Sequence, residues 1–209
     1  TFIDLFMDNI LSKFTIVTIT CNDLDGLKDT INSIRDLLDV GARNIIINGG
    51  KKIGASFQKE WLSKSLLFEQ KDEGIYDALN IGISNVETDY FMLLHAGDRY
   101  IATAEVMNEI IKGLEKHGSD LSLNDQLIPS VSNIMRIHSV RLWRPWFLKF
   151  GAQPGHLPTI YRTSFASQFK YSVNKGFVAD YYYFVTLFEK NVNFRKDCKL
   201  LVRMAPGGH

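Results

Sequence analysis

Over the first 120 residues, short apolar runs alternate with stretches of helical periodicity, and no other feature restricts the fold as much. Phe14 to Thr20 (FTIVTIT) is a β-branched run that fits a buried strand. A polar turn, Cys21 to Asp25, leads into Leu27, Ile31, Ile34 and Leu38 at helical spacing. Asp25 is the expected N-cap of that helix and Gly41 its stop. Asn44 to Ile47 reads as a second strand and ends in Asn48-Gly49-Gly50. A polar helix around Ala55 to Ser63, a strand at Leu66 to Phe68 and a helix from Ile75 to Ser84 follow. Tyr90 to Leu94 reads as a buried strand ending at His95-Ala96-Gly97-Asp98, and Ala104 to Leu114 as a helix before Gly118. This alternation predicts an α/β fold, a mostly parallel sheet with helices on both faces. Ligands of such sheets bind at the carboxyl ends of the strands. The turns at 20–25, 48–50 and 95–98 should therefore share one edge.

From 121 to 175 the pattern is less regular and holds four of the five prolines. Val178 to Phe188 is helical again. The 209 residues suffice for one domain with a sizeable core, and a second full domain would be crowded. A net charge of +1 argues against bulk electrostatic binding of nucleic acid. Cys21 and Cys198 are too few for a disulfide framework and read as two reduced thiols. No run of 18 apolar residues is present and the start lacks signal-peptide character, so a cytoplasmic location is expected. The chain starts at Thr1 without an initiator Met, which reads as a trimmed start.

Several segments carry both a chemical and a plain structural reading. Gly49 to Ser56 is Gly-rich but lacks the Lys of a phosphate-binding P-loop after Gly54, so a turn is the better reading. Asp98 follows an apolar strand and is either a turn former or a hard ligand for Mg²⁺ or Mn²⁺. Asp180 sits in Phe177-Val178-Ala179-Asp180-Tyr181-Tyr182-Tyr183-Phe184, as a helix N-cap or as a base whose pKa burial would raise. The histidines at 95, 117, 138, 156 and 209 show no zinc spacing. Between Ile134 and Phe150, Arg136, Arg141, Arg144 and Lys149 are interleaved with Trp143, Trp146 and Phe147. That stretch reads as a membrane-surface or anion-binding patch, or as a loop that buries its aromatics and solvates its charges.

Taken together, the motifs resemble the family 2 glycosyltransferases with the GT-A fold, especially bacterial enzymes of capsule and O-antigen assembly. The segments that carry the resemblance are FTIVTITCN (14–22), NIIINGG (44–50), DEGIYDALNIG (72–82) and YFMLLHAGD (90–98), in that order. Gly155 to Phe184 is similar to the family's acceptor half, with His156 at a family His and Asp180 at the position of the catalytic base. The closing Pro206-Gly207-Gly208 is similar to a glycine pair near the family's domain end.

The resemblance implies a single domain over 1–209, with a nucleotide-sugar-binding half at about 14–120 and an acceptor half at about 121–209. It implies an inverting transfer from a nucleoside-diphosphate sugar, a UDP-sugar first, to a glycan or polyprenyl-linked glycan. Thr18, Thr20, Asn48, Asp72, Asp77 and Asp98 would bind the donor, His156 would contact a sugar, and Asp98 would hold Mn²⁺ or Mg²⁺. Asp180 would deprotonate the acceptor hydroxyl.

The chain departs from the family at four places. Asn48 stands for the Asp that reads uracil, Cys21 for a stacking aromatic, His95 for Asn or Asp, and Gly97 for a second Asp. The departures at Asn48, Cys21 and Gly97 motivate an alternative, a catalytically degenerate member that binds a nucleotide-sugar or a partner. A nucleotidyltransferase would need a basic Gly-rich first loop, which Cys21 to Leu27 lacks. His209 is a weaker candidate metal ligand. Any membrane contact is expected to be peripheral, through 134–150.

Overall fold

The computed structural model describes residues 10–130 and 134–206. A 3₁₀ turn at Ile10–Lys13 leads into β1 (Phe14–Thr20), α1 (Leu24–Ser33), α2 (Arg35–Asp39), β2 (Arg43–Asn48) and α3 (Ala55–Trp61). Next come β3 (Ser65–Glu69), α4 (Ile75–Ser84), β4 (Tyr90–His95), β5 (Arg99–Tyr100) and α5 (Ala104–His117). The chain continues through β6 (Leu121–Pro129), β7 (Met135–His138), β8 (Ile160–Arg162), α6 (Thr163–Ala166), α7 (Ala179–Glu189) and β9 (Phe194–Arg203).

The strands form one sheet in the order β3-β2-β1-β4-β8-β6-β9-β5, with β7 paired to β6 off that path. β3, β2, β1 and β4 are parallel throughout, as the alternation predicts. Every residue of β1 is buried, which is the expected fate of a strand covered by helices on both sides. α4 approaches β1 closely at Gly82, where an added Cβ would collide with Val17. One hydrophobic cluster draws on both halves of the chain, from Phe14 and Ile46 to Tyr161, Phe184 and Leu201.

The structure corrects the local expectations at three places. Asp23, not Asp25, caps α1, accepting the Gly26 N–H at 2.8 Å. The predicted helix from Leu27 to Leu38 is two helices that meet at Ile34. The stretch from 121 to 175 is more regular than its pattern suggests, because β6 and β8 insert into the middle of the sheet. β9, which the sequence pattern does not reveal, pairs in parallel with β6 and carries the chain back toward the first half.

Thr20 is in register with Asn48, and Ile19 with His95. The turns after β1, β2 and β4 thus lie side by side on the carboxyl edge.

Candidate active site

A cavity of about 560 Å³ opens at this edge, within the size range of small-molecule sites. Its wall is built from the end of β1 with the following turn, the segment from Asp72 to Ala78, the 95–98 turn, and Met204 to Pro206.

Asp98 lines the cavity yet is only 4% exposed. Its Oδ2 accepts the His95 N–H at 3.1 Å and its Oδ1 the Ala205 N–H at 2.9 Å. Burial pushes its pKa up, and those two amides and the charge of His156 partly offset it. The Thr30 hydroxyl fixes the turn from below, accepting the Gly97 N–H at 3.0 Å and lying 2.7 Å from the Asp98 carbonyl. The turn-former reading of Asp98 therefore holds, and its carboxylate also lines the cavity.

Asp72 also lines the cavity and accepts the Gly74 N–H at 3.0 Å. Gly49 leaves room beside it, since a Cβ there would meet the Asp72 carboxylate and force it to shift. Thr20 completes this wall.

Three expected donor-binding side chains are engaged elsewhere. Thr18 shares the face of Thr20 on β1 but lies two residues deeper, fully buried, and its hydroxyl donates to Asn44 Oδ1 at 3.0 Å. Asn48 is buried and uses its amide on the turn it ends, donating to the Lys51 carbonyl at 2.8 Å and accepting the Gly50 N–H at 3.0 Å. Asp77 accepts the Glu73 N–H at 3.0 Å and secures the start of α4. None of these three side chains is on the cavity wall.

A second cluster adjoins the first. Asp180, in the first turn of α7, faces His156, with Oδ2 3.4 Å from Nδ1. Gln153 donates to the same Oδ2 at 2.6 Å, and the Tyr181 N–H donates to Oδ1 at 2.8 Å. The helix cap is Val178, so Asp180 is not an N-cap. Burial pushes the Asp180 pKa up, but the hydrogen bond and charge of His156, the Tyr181 amide and Gln153 outweigh it. The net shift is downward, opposite to the expectation from burial alone. Tyr76 lies close by, and burial followed by the charge of Asp180 pushes its phenol up to about 12.

His95 links the clusters. It lines the cavity, and its ring lies 5.6 Å from that of His156. Burial, then the charge of His156, depresses its pKa to about 3, so the ring is neutral. The Nε2 atoms of His95 and His156 are both buried without a hydrogen-bond partner among the described residues, an arrangement that suits a polar ligand arriving between them.

Among the described residues no group of three or more His, Cys, Asp or Glu side chains is arranged to hold a metal ion. Asp98 fits a cation only as a single carboxylate, with each oxygen already accepting one amide and the remaining ligands coming from phosphate and water. His209, Gly207 and Gly208 lie outside the described residues. Sequence reasoning missed Gln153, Thr30 and the linking role of His95. Gln153 and Thr30 carry no motif, and His95 reads only as a departure from a family pattern.

Residues 15–175 match the sequence profile described as Glycosyl transferase family 2. The chain belongs to that family. Two uncharacterized glycosyltransferases of Mycobacterium tuberculosis are each 31% identical to this family member over 107 residues, 50% of this chain and 40% of the relative. The matched stretch is thus less than half of those proteins. S. aureus TarS 1–349 in complex with UDP-GlcNAc superposes with a TM-score of 0.69 at 14% identity, over 94% of this chain and 59% of that one. Mannosyltransferase PcManGT from Pyrobaculum calidifontis, in complex with GDP-Man and Mn²⁺, gives 0.67 at 11% identity, over 92% and 56%. The fold is therefore the GT-A fold that the sequence motifs imply.

Proposed function

We propose that the chain is an inverting glycosyltransferase. It takes a sugar from a nucleoside-diphosphate sugar, a UDP-sugar in the first instance, to a hydroxyl of a glycan or lipid-linked glycan in cell-surface polysaccharide synthesis. The observation that carries this reading is the junction at His95, where the cavity wall holding Asp98 meets the His156–Asp180 pair. The UDP-GlcNAc and GDP-Man complexes of proteins sharing the fold support a nucleotide-sugar donor.

Thr20 and Asp72 would line the nucleotide, and Asp98 would hold Mn²⁺ or Mg²⁺ against the diphosphate. A divalent cation held there would stabilise the negative charge that the leaving diphosphate develops. Asp180 takes the proton of the acceptor hydroxyl as the oxygen attacks the anomeric carbon, and a single in-line displacement inverts that centre. Gln153 and His156 hold the carboxylate in place, which preserves the attack geometry. No helix among the described residues is long and apolar enough to cross a membrane, and we place the reaction at the cytoplasmic side.

A second reading, donor binding without turnover, draws support from the two backbone amides already bonded to Asp98. Calorimetry with UDP, GDP, CDP and dTDP, each with and without Mn²⁺, separates the two readings when paired with a turnover assay. The expected outcome is Mn²⁺-dependent binding of one nucleotide that Asp98→Ala weakens at least tenfold. Asp180→Asn should keep that binding and lose about 10²–10⁴ in turnover. Normal turnover by Asp180→Asn would remove the base assignment. Binding with no transfer to any acceptor would favour the second reading.

A further inference from the structure

Between Gln126 and Ala179 the chain has seven Lys or Arg and no Asp or Glu, whereas the rest of it holds 17 basic and 23 acidic residues. Such a segregation is hidden in a net charge of +1. Arg162 turns inward to Asp120. The other six, Arg136, Arg141, Arg144, Lys149, Lys170 and Lys175, are exposed, and none forms an ion pair with a described residue.

The same stretch exposes large apolar side chains. Leu142 is 79% exposed, Trp146 55%, Phe150 78% and Phe177 83%. Soluble surfaces seldom gather such groups without a partner. The segments bearing them are tied together. The Tyr181 hydroxyl of α7 donates to the Leu148 carbonyl at 2.7 Å, which seats the 3₁₀ turn Pro145–Phe150 on α7. Lys175 lies over the Tyr182 ring at 4.5 Å, and the Phe177 carbonyl accepts from Tyr76 at 3.3 Å. Gln153, just past the 3₁₀ turn, holds Asp180. Lys149, Trp146 and Phe150 of the 3₁₀ turn, with Lys175 and Phe177, therefore rim the Asp180 side of the site.

We infer that this rim is a docking surface for an anionic phospholipid bilayer. Interfacial Trp and Phe insert at headgroup depth while Lys and Arg meet the lipid charge. A soluble anionic polymer would satisfy the cations but leave Leu142, Phe150 and Phe177 in water, so the bilayer is the better match. The inference deepens the proposed reaction by naming a lipid-borne acceptor, delivered to Asp180 from the membrane side, and in that sense rests on it.

Sedimentation with vesicles tests the surface without turnover. The 209-residue chain should co-sediment with phosphatidylglycerol vesicles, not with phosphatidylcholine vesicles, and release at high salt. The double variant Arg144→Gln/Lys149→Gln should lose about 30-fold in partition, about 1 kcal/mol for each charge near an anionic surface. Trp146→Ser/Phe150→Ser should weaken binding at least tenfold while keeping nucleotide affinity, which shows that the fold is intact. Failure to bind phosphatidylglycerol, equal binding to both vesicles, or unchanged binding by both variants would overturn the inference. So would capture by heparin alone, or a dimer that these substitutions disperse. Vesicle binding by a chain that transfers no sugar would uphold the surface and count against the reaction.

Discussion

His95 is a residue whose chemistry the surroundings alter strongly. It stays neutral because its half-buried ring is desolvated beside His156, which depresses its pKa to about 3. The unfolded chain takes up that proton near the ordinary histidine value, about 6.5. Between those values the unfolded state binds more protons, so stability falls as pH falls from about 6.5. The slope is about 1.4 kcal/mol per pH unit once well below 6.5. Urea unfolding followed from pH 6.5 to 5 should show this decline, and His95→Asn should flatten it. Asp180 behaves differently: its depressed pKa keeps it ionised through that interval, so turnover should have no acid limb from Asp180 in the ordinary carboxylate range. Gln153 acts through Asp180, and Gln153→Ala should lower kcat about tenfold, leave KM for donor near its wild-type value, and move the acid limb upward. A shift in KM alone would argue against that positioning role.

At the scale of elements, legibility in the sequence follows the burial of each strand. β1, β2 and β4 are apolar because helices cover them, and their runs betray them. β6 carries Asn124, Asp125 and Gln126 in mid-strand, and the structure uses the first two as connectors. Asn124 donates to the Pro158 carbonyl at 3.2 Å, and Asp125 accepts the Val140 N–H at 2.8 Å. β9 spends Asp197 on Ser122 at 2.6 Å, so its pattern has no apolar period to read. The site divides along the same line. Asp98 and Asp180 are legible because they end or begin elements. Thr18 and Asn48 stand off the cavity wall because strand position fixes a face but not how deep a side chain sits or which neighbour it bonds. Close packing also yields a prediction: Gly82 lets α4 sit on β1, so Gly82→Val should overpack the Val17 contact. Denaturation midpoints should report a loss of about 1–3 kcal/mol.

On the scale of the whole molecule, the sheet interleaves early and late sequence. β8, β6 and β9 separate β4 from β5, although only the three-residue turn 96–98 divides β4 and β5 along the chain. Met204 to Pro206 thereby reach a cavity whose other walls come from the first hundred residues. Removing residues from Met204 onward should leave the far-ultraviolet circular dichroism nearly unchanged. It should weaken nucleotide binding at least tenfold, because Asp98 loses the Ala205 amide at 2.9 Å. Equal affinity in the shortened chain would show that this contact is dispensable.

That contact between Asp98 and Ala205 also bears on how the protein is made. Synthesis is vectorial, at about 5–20 residues per second, and early segments can pair before later ones exist. β1, β2, β3 and β4 are contiguous and parallel, so they can assemble while the ribosome is still translating the second half. The carboxylate at 98 nevertheless waits for an amide made 107 positions later. A nascent chain stalled short of Ala205 would carry most of its sheet while the cavity still lacked one wall and Asp98 one of its two amides.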